Sequence, residues 1–282
     1  MSPFLQRFLP QRALTDFAGF LANHRNIWLK NRLIQYFIWK YPIKLEEAVE
    51  SDPYRYGSFN EFFTRALKPN LRPIAPDLHD LVSPADGCIS QIGQIHEDQI
   101  FQAKGHYYTV ANLLGNDSTL TKPFQNGSFL TVYLAPKDYH RVHMPVDGYL
   151  SHMLYVPGKL FSVNTKTAEC TANLFAKNER VIAFFNTSLG RVAVILVGAM
   201  IVGSIETVWA GTITPPRQQT PHLWNYDHPI FLRRGEEMGR FKLGSTVILL
   251  FEENAVSWDS GLTAEAPVLM GQRIGTIKPD RW

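Results

Sequence analysis

Gly239-Arg240-Phe241-Lys242-Leu243-Gly244-Ser245-Thr246-Val247-Ile248-Leu249-Leu250 joins a basic segment to an apolar run across one Gly-Ser peptide bond. From Thr246 to Phe251 the residues are aliphatic, β-branched or aromatic and carry no charge, which predicts a buried strand. Gly244 lacks a Cβ, so its backbone is free to take unusual conformations and its carbonyl is open to approach. The neighbouring Ser245 hydroxyl is then a candidate internal nucleophile. On turn chemistry alone, a Gly-Ser pair before a strand is an ordinary turn, so the reading depends on the rest of the chain.

Upstream, strand signals dominate as far back as residue 80. Val181 to Phe185, Val192 to Val197 and Ile201 to Ile205 are β-branched or aromatic. Asn126-Gly127 precedes Phe129 to Leu134, and Asp147-Gly148 precedes Tyr149 to Val156, both patterns of hairpins. The expected fold is α+β: N-terminal amphipathic helices, then a mainly antiparallel β core with a few short helices. Pro69, Pro73 and Pro76 mark residues 68–80 as a linker. Ser58-Phe59-Asn60-Glu61 is a capping box, predicting a helix over Phe59 to Ala66. The domain reading is therefore a helical segment 1–67, the linker 68–80 and a β-rich core 81–282.

The N-terminal segment is distinctive in charge. Residues 1–44 hold seven Lys or Arg against one acid, Asp16, so +6 of local charge sits in a chain whose net charge is +3. Phe17, Phe20 and Leu21, then Leu33, Ile34, Phe37 and Ile38, recur at helical spacing beside those cations. Two readings stay open on the residues alone: helices lying in a membrane interface, or a cap docked on the protein's own core. No signal peptide is expected, and the longest apolar run, Val192 to Gly203, is shorter than the ~20 residues of a spanning helix. Cys88 and Cys170 show no metal spacing and no disulfide framework, which favours a reducing compartment.

Three polar stretches concentrate reactive groups: Ser83-Pro84-Ala85-Asp86-Gly87, Asp138-Tyr139-His140-Arg141-Val142-His143-Met144-Pro145, and Leu243-Gly244-Ser245-Thr246. Asp, His and Ser are the parts of a nucleophilic triad, in which the imidazole takes the hydroxyl proton and the carboxylate steadies it. The alternatives are an Asx turn at Asp86 and either structural histidines or a metal pair at His140 and His143. The metal reading is weakened on a strand, where residues three apart face opposite ways. His106 is read as structural. No phosphate-binding glycine loop is present, and the aromatic content of the basic segment argues against nucleic acid.

Eight segments spread over most of the chain then carry a resemblance. They include Ser58 to Phe63, Ser83 to Gly87, Gln102 to His106, Asp138 to Pro145, Pro157 to Asn164, Asn173 to Arg180, Val202 to Gly211 and Gly239 to Thr246. In these the chain resembles the phosphatidylserine decarboxylases of the bacterial proenzyme type. The resemblance implies self-cleavage between Gly244 and Ser245, with His143, oriented by Asp86, deprotonating Ser245. It implies a long chain 1–244 and a short chain 245–282 that remain associated, the latter beginning with a covalent pyruvoyl group derived from Ser245. That ketone would bind phosphatidylserine as an imine and accept the electrons released with CO2, with no metal and no pyridoxal phosphate. His140 becomes the candidate proton donor, and phosphatidylethanolamine the product. The resemblance also implies a homodimer as one assembly. It tips the N-terminal helices toward peripheral docking on the cytoplasmic side of the cell membrane. Two rivals are a metal-dependent headgroup hydrolase using His140, His143 and Asp86, and a non-catalytic lipid-binding protein.

Overall fold

Val247, Ile248, Leu249, Leu250 and Phe251 are all fully buried, and alternation sends them to opposite sides of one sheet. In the computed structural model, which describes residues 6, 10–200, 204–215, 218–242 and 245–278, this strand lies inside an eight-stranded antiparallel sheet. The strand order is His222–Leu232, Gly148–Val156, Arg180–Thr187, Gly190–Val197, Ser245–Phe251, Ser128–Leu134, Gly87–Gln94 and Pro267–Val268. Both neighbours of Ser245–Phe251 pair with it without a register shift, Ser245 opposite Leu134 and Thr246 opposite Val197. Residues 243 and 244, which include the Gly244 of the expected cleavage site, lie outside the described residues.

Each face of the sheet has its own core. Val247, Leu249 and Phe251 join Leu130, Val132, Val194, Val142, Met144, Met238 and Phe241. Ile248 and Leu250 join Ile195, Ile182, Phe129, Val110, Leu113 and Phe175, from short helices on the other side. The first core is closed by a four-stranded sheet in the order Gly211–Thr214, Ile205–Thr207, Glu237–Phe241, Arg141–His143. Residues 242–244 thus connect a strand of the small sheet to the central strand of the large one. A third sheet pairs Asp80–Val82 and Val256–Trp258 with Arg273–Ile277.

Two expected hairpins are corrected. Asn126, at φ 56°, and Gly127 link the 3-10 turn Lys122–Phe124 to the strand Ser128–Leu134, so no strand precedes the pair. Glycine is required because a Cβ at 127 would run into the Phe251 carbonyl. Asp147-Gly148 carries the chain from the small sheet to the large one, so its flanking strands are not partners. Arg234 N–H donates to Asp147 Oδ1 at 2.6 Å and holds this crossing.

The N-terminal helices form as Gln11–Asn23 and Ile27–Lys40. Ile34 and Ala22 pack with Phe59, Phe62 and Phe63 in a small separate core. Leu33, Phe37 and Ile38 pack against its edge, whereas Phe17, Phe20, Ile27, Trp28, Tyr36 and Trp39 are 54–79% exposed, while Gln11, Thr15 and Lys30 are buried. Among the described residues no helix is long and apolar enough to cross a membrane. Ser58 Oγ accepts from Glu61 N–H at 3.1 Å as expected, but Glu61 reaches Gly57 N–H, at 2.8 Å. That helix ends at Phe63, short of Ala66, because the Thr64 hydroxyl donates to the Asn60 carbonyl at 2.8 Å and the Thr64 carbonyl accepts from Arg141 Nε at 3.0 Å.

Candidate active site

Ser245 opens the central strand and is wholly buried, yet its Oγ has no hydrogen-bond partner among the described residues. Strand parity puts it on the face of Val247, Leu249 and Phe251, the side on which the small sheet packs. A buried hydroxyl without a partner costs about 1–3 kcal/mol, so the position is held against its own polarity. Thr246 Oγ1, which parity sends to the opposite face, is likewise unpartnered.

The two histidines come from the segment that enters the small sheet's edge strand, Arg141–His143. His140 is fully buried, and its Nδ1–H donates to the Asp138 carbonyl at 2.8 Å. A carbonyl only accepts, so the Nδ1 tautomer follows and Nε2 carries a lone pair, which is unpartnered. The Phe63 ring lies 4.1 Å from the imidazole, centroid to centroid. Burial pushes its pKa down to about 3, with the Arg65 charge a smaller contribution in the same direction. The His140 carbonyl accepts from Phe241 N–H at 3.0 Å, which ties it to the strand leading to residues 243–244.

His143 is 8% exposed. Its Nδ1–H donates to the Gly235 carbonyl at 2.8 Å, and Nε2 accepts from the Tyr139 hydroxyl at 3.1 Å. Burial lowers the His143 pKa and outweighs the Gly235 hydrogen bond, so the ring is neutral. The same burial pushes Tyr139 up to about 12 and keeps its proton on the oxygen.

Among the described residues no hydrogen bond or ion pair joins Asp86 to His143, as the expected triad would have, although the Asp86 charge reaches the ring. The Asp86 carboxylate accepts from Arg72 Nε at 3.0 Å on both oxygens, from Arg72 Nη2 at 2.7 Å and from Met270 N–H at 2.9 Å. Arg72 Nη2 also reaches Glu47 at 2.7 Å. These bonds also replace the Asx-turn alternative. Asp86 and His143 are connected instead through backbone: the Pro84 carbonyl, in the turn that Asp86 anchors, accepts from His143 N–H at 2.8 Å.

Sequence reading found Asp86, His140, His143 and Ser245 but not Arg72, Tyr139 or Gly235. Arg72 stands in a proline-rich stretch that was read as linker, and a carbonyl such as that of Gly235 leaves no trace in residue type. Among the described residues no three His, Cys, Asp or Glu side chains converge, so they supply no centre for the metal-dependent rival. The stretch's cations are paired: Arg240 with Glu237 at 2.7 Å and Lys242 with Glu206 at 3.0 Å.

Comparison with known proteins falls on this architecture. The family profile described as phosphatidylserine decarboxylase matches residues 59–276, and a second, described as PSD, matches residues 3–42. A phosphatidylserine decarboxylase proenzyme of Vibrio cholerae is 52% identical over 272 residues, 95% of each chain. One from Polaromonas is 55% identical over 250 residues, 87% of each, and one from Pseudomonas aeruginosa 52% over 277 residues, 97% of this chain and 96% of that one. These matches place the chain among the carboxy-lyases that are made as proenzymes. It belongs to the phosphatidylserine decarboxylase family.

Proposed function

We propose that the chain cuts itself before Ser245, converts that serine to a pyruvoyl group and decarboxylates phosphatidylserine to phosphatidylethanolamine. The observation that carries this reading is the buried, unpartnered Ser245 Oγ at the point where the chain passes between two sheets. The name of the relatives, phosphatidylserine decarboxylase proenzyme, supports the substrate and the processing.

His143 is the base. Its neutral ring offers Nε2, fixed by the Nδ1–H bond to Gly235, once the Tyr139 hydroxyl turns away. Ser245 Oγ loses its proton to Nε2 as it attacks the Gly244 carbonyl carbon, and the proton passes to the departing Ser245 nitrogen, leaving an ester. Loss of the Ser245 Cα proton expels the Gly244 carboxylate, and water then releases ammonia to leave a ketone. Asp86 acts at one remove, by clamping the turn whose Pro84 carbonyl positions His143.

The residues present fit such a group, because the ketone would occupy a buried site with no competing partner for its oxygen. Such a ketone at position 245 would supply an electrophile for the substrate amine and a sink for the electron pair that CO2 leaves behind. His140, whose Nε2 is a lone pair without a partner among the described residues, is the candidate to carry a proton to the substrate carbon. Burial makes its imidazolium a strong acid, suited to that transfer.

The long and short chains stay associated in this reading. Ser245–Phe251 is paired on both edges, Arg273–Ile277 pairs with Asp80–Val82, and Pro267–Val268 pairs with Gly87–Gln94. The outward Phe and Trp residues and the positive charge of residues 1–44 support peripheral docking on the cytoplasmic face of a membrane, with residues 1–67 as the docking segment.

Intact mass with and without a carbonyl-reactive reagent tests the reading, alongside CO2 release from phosphatidylserine vesicles. Two chains are expected, with only the short one modified. A short chain that begins with a free amine overturns it.

A further inference from the structure

Two arginines are buried, Arg180 and Arg65, a third, Arg72, is half-buried, and their bonding differs. Arg180, 2% exposed, donates to the carbonyls of Leu113, Asn112, Ala176 and Asn178 at 2.6–2.8 Å. Arg72 is paired with Asp86 and Glu47. Arg65, 4% exposed, has one bond from its guanidinium among the described residues, Nη2 to the Lys137 carbonyl at 3.2 Å, and its buried Nε and Nη1 have no partner among them.

That arrangement is not a loose end of the backbone. Thr64, one residue earlier, is pinned to Asn60 and to Arg141, and Arg65 N–H donates to the Phe62 carbonyl at 3.3 Å. The guanidinium carbon sits 5.9 Å from the centre of the Phe62 ring. Glu47, Asp86 and Asp138 attract its charge from outside ion-pair range; the first two are engaged by Arg72, and Asp138 accepts from Ala135 N–H at 2.7 Å. A guanidinium in these surroundings keeps two donors that the described residues leave unsatisfied. The place is beside the site: the Arg65 field reaches His140, and Lys137, which receives Nη2, lies in the same loop as Tyr139 and His140.

We propose that Arg65 is the anion-receiving side chain of this site and holds the phosphodiester of the lipid headgroup, an inference that rests on the lipid decarboxylase reading above. The substrate carries two anionic groups, and the chemistry chooses between them. A guanidinium on the carboxylate would stabilise the charge that must leave as CO2 and so oppose the reaction. The phosphodiester keeps its charge from substrate to product, so binding it stabilises every stage alike. Arg is suited to this by its planar donors and permanent charge.

Full-length Arg65→Gln and Arg65→Lys are compared with the parent on phosphatidylserine in mixed micelles, with the fraction cut and ketone-capped measured in each so that rates refer to processed enzyme. Arg65→Gln is expected to raise KM by about tenfold or more with a smaller change in kcat, and Arg65→Lys to recover part of that loss. Glycerol phosphate should compete in the parent and not in Arg65→Gln; inhibition by malonate that depends on Arg65 would assign the carboxylate instead and overturn the choice. Unchanged KM and unchanged glycerol phosphate inhibition overturn the proposal. A second arm needs neither processing nor turnover: in uncut Ser245→Ala protein, glycerol phosphate should raise the melting temperature, and Arg65→Gln should abolish the rise. A shift abolished by Arg65→Gln, beside a parent enzyme that releases no CO2, would keep the anion site and sink the decarboxylase reading, whereas CO2 release with a shift that persists in Arg65→Gln would do the reverse.

Discussion

Arg72→Met tests how Asp86 is used. In the parent, three contacts of 2.7–3.0 Å join Arg72 to Asp86 and one of 2.7 Å joins it to Glu47. The side chains of Arg72 and Asp86 are 11% and 7% exposed, and that of Glu47 is 22% exposed. Removing one partner of a buried pair costs about 3–5 kcal/mol, against about 0–1 kcal/mol for an exposed pair. The Asp86 contact falls near the buried limit and the Glu47 contact adds little, so the expected loss of unfolding free energy is about 3 kcal/mol. Chemical unfolding is best followed in the Ser245→Ala background, where all molecules are one chain. Asp86→Asn removes the charge that Arg72→Met would strand, so the double variant should lose no more than Arg72→Met alone, a coupling of about 2 kcal/mol. The cleavage rate is measured with Ser245 restored, and Arg72→Met should slow it as Asp86→Asn does, because either change frees the turn that positions His143. Additive losses, or a normal cleavage rate in Arg72→Met beside a slow one in Asp86→Asn, would show that Asp86 acts on His143 directly and refute the clamp.

Ser245→Ala should remain a single chain by mass, and His143→Ala should be cut far more slowly; normal cutting in His143→Ala would remove it as the base. Stability should fall with acid. The His140 pKa drops from the ordinary 6.5 to about 3 on folding and that of His143 falls too, so below pH 6.5 the unfolded chain binds more protons. His140 then contributes a loss of about 1.4 kcal/mol per pH unit down to about pH 3, and His143 adds to the loss in the same direction. Urea unfolding at pH 7 and pH 5 should show it, and His140→Gln should flatten the dependence; an equal slope in that variant would count against the buried neutral ring. Trp28→Ser and Trp39→Ser should each weaken binding to anionic vesicles by about tenfold or more, the effect of about 1.4 kcal/mol of lost apolar burial. Sedimentation with vesicles checks this, and unchanged binding would return these helices to the role of an internal cap.

What the sequence could show follows the range of each interaction. The central strand was legible because burial demands an unbroken apolar run from Val247 to Phe251, and the start of the helix at Phe59 because a cap is a contact across three residues. The hairpins at Asn126 and Asp147 were misread because Asn-Gly and Asp-Gly report a turn but not what the turn joins. His143 and Ser245 were legible as residue types, yet what fixes them was not: the Gly235 carbonyl is 92 residues from His143, and the Arg72 clamp on Asp86 spans 14 residues out of a stretch whose prolines suggested a linker. The separation has a consequence for the chemistry. His143 is held by the small sheet and Ser245 by the large one, and among described residues neither Ser245 Oγ nor His140 Nε2 has a partner that would lock it in place. A nucleophile and base joined by a fixed hydrogen bond would stay poised as a standing hydrolase. Two groups seated on separate sheets need no such fixed bond, and on the proposed reading they react once and leave the site to the product that Ser245 becomes.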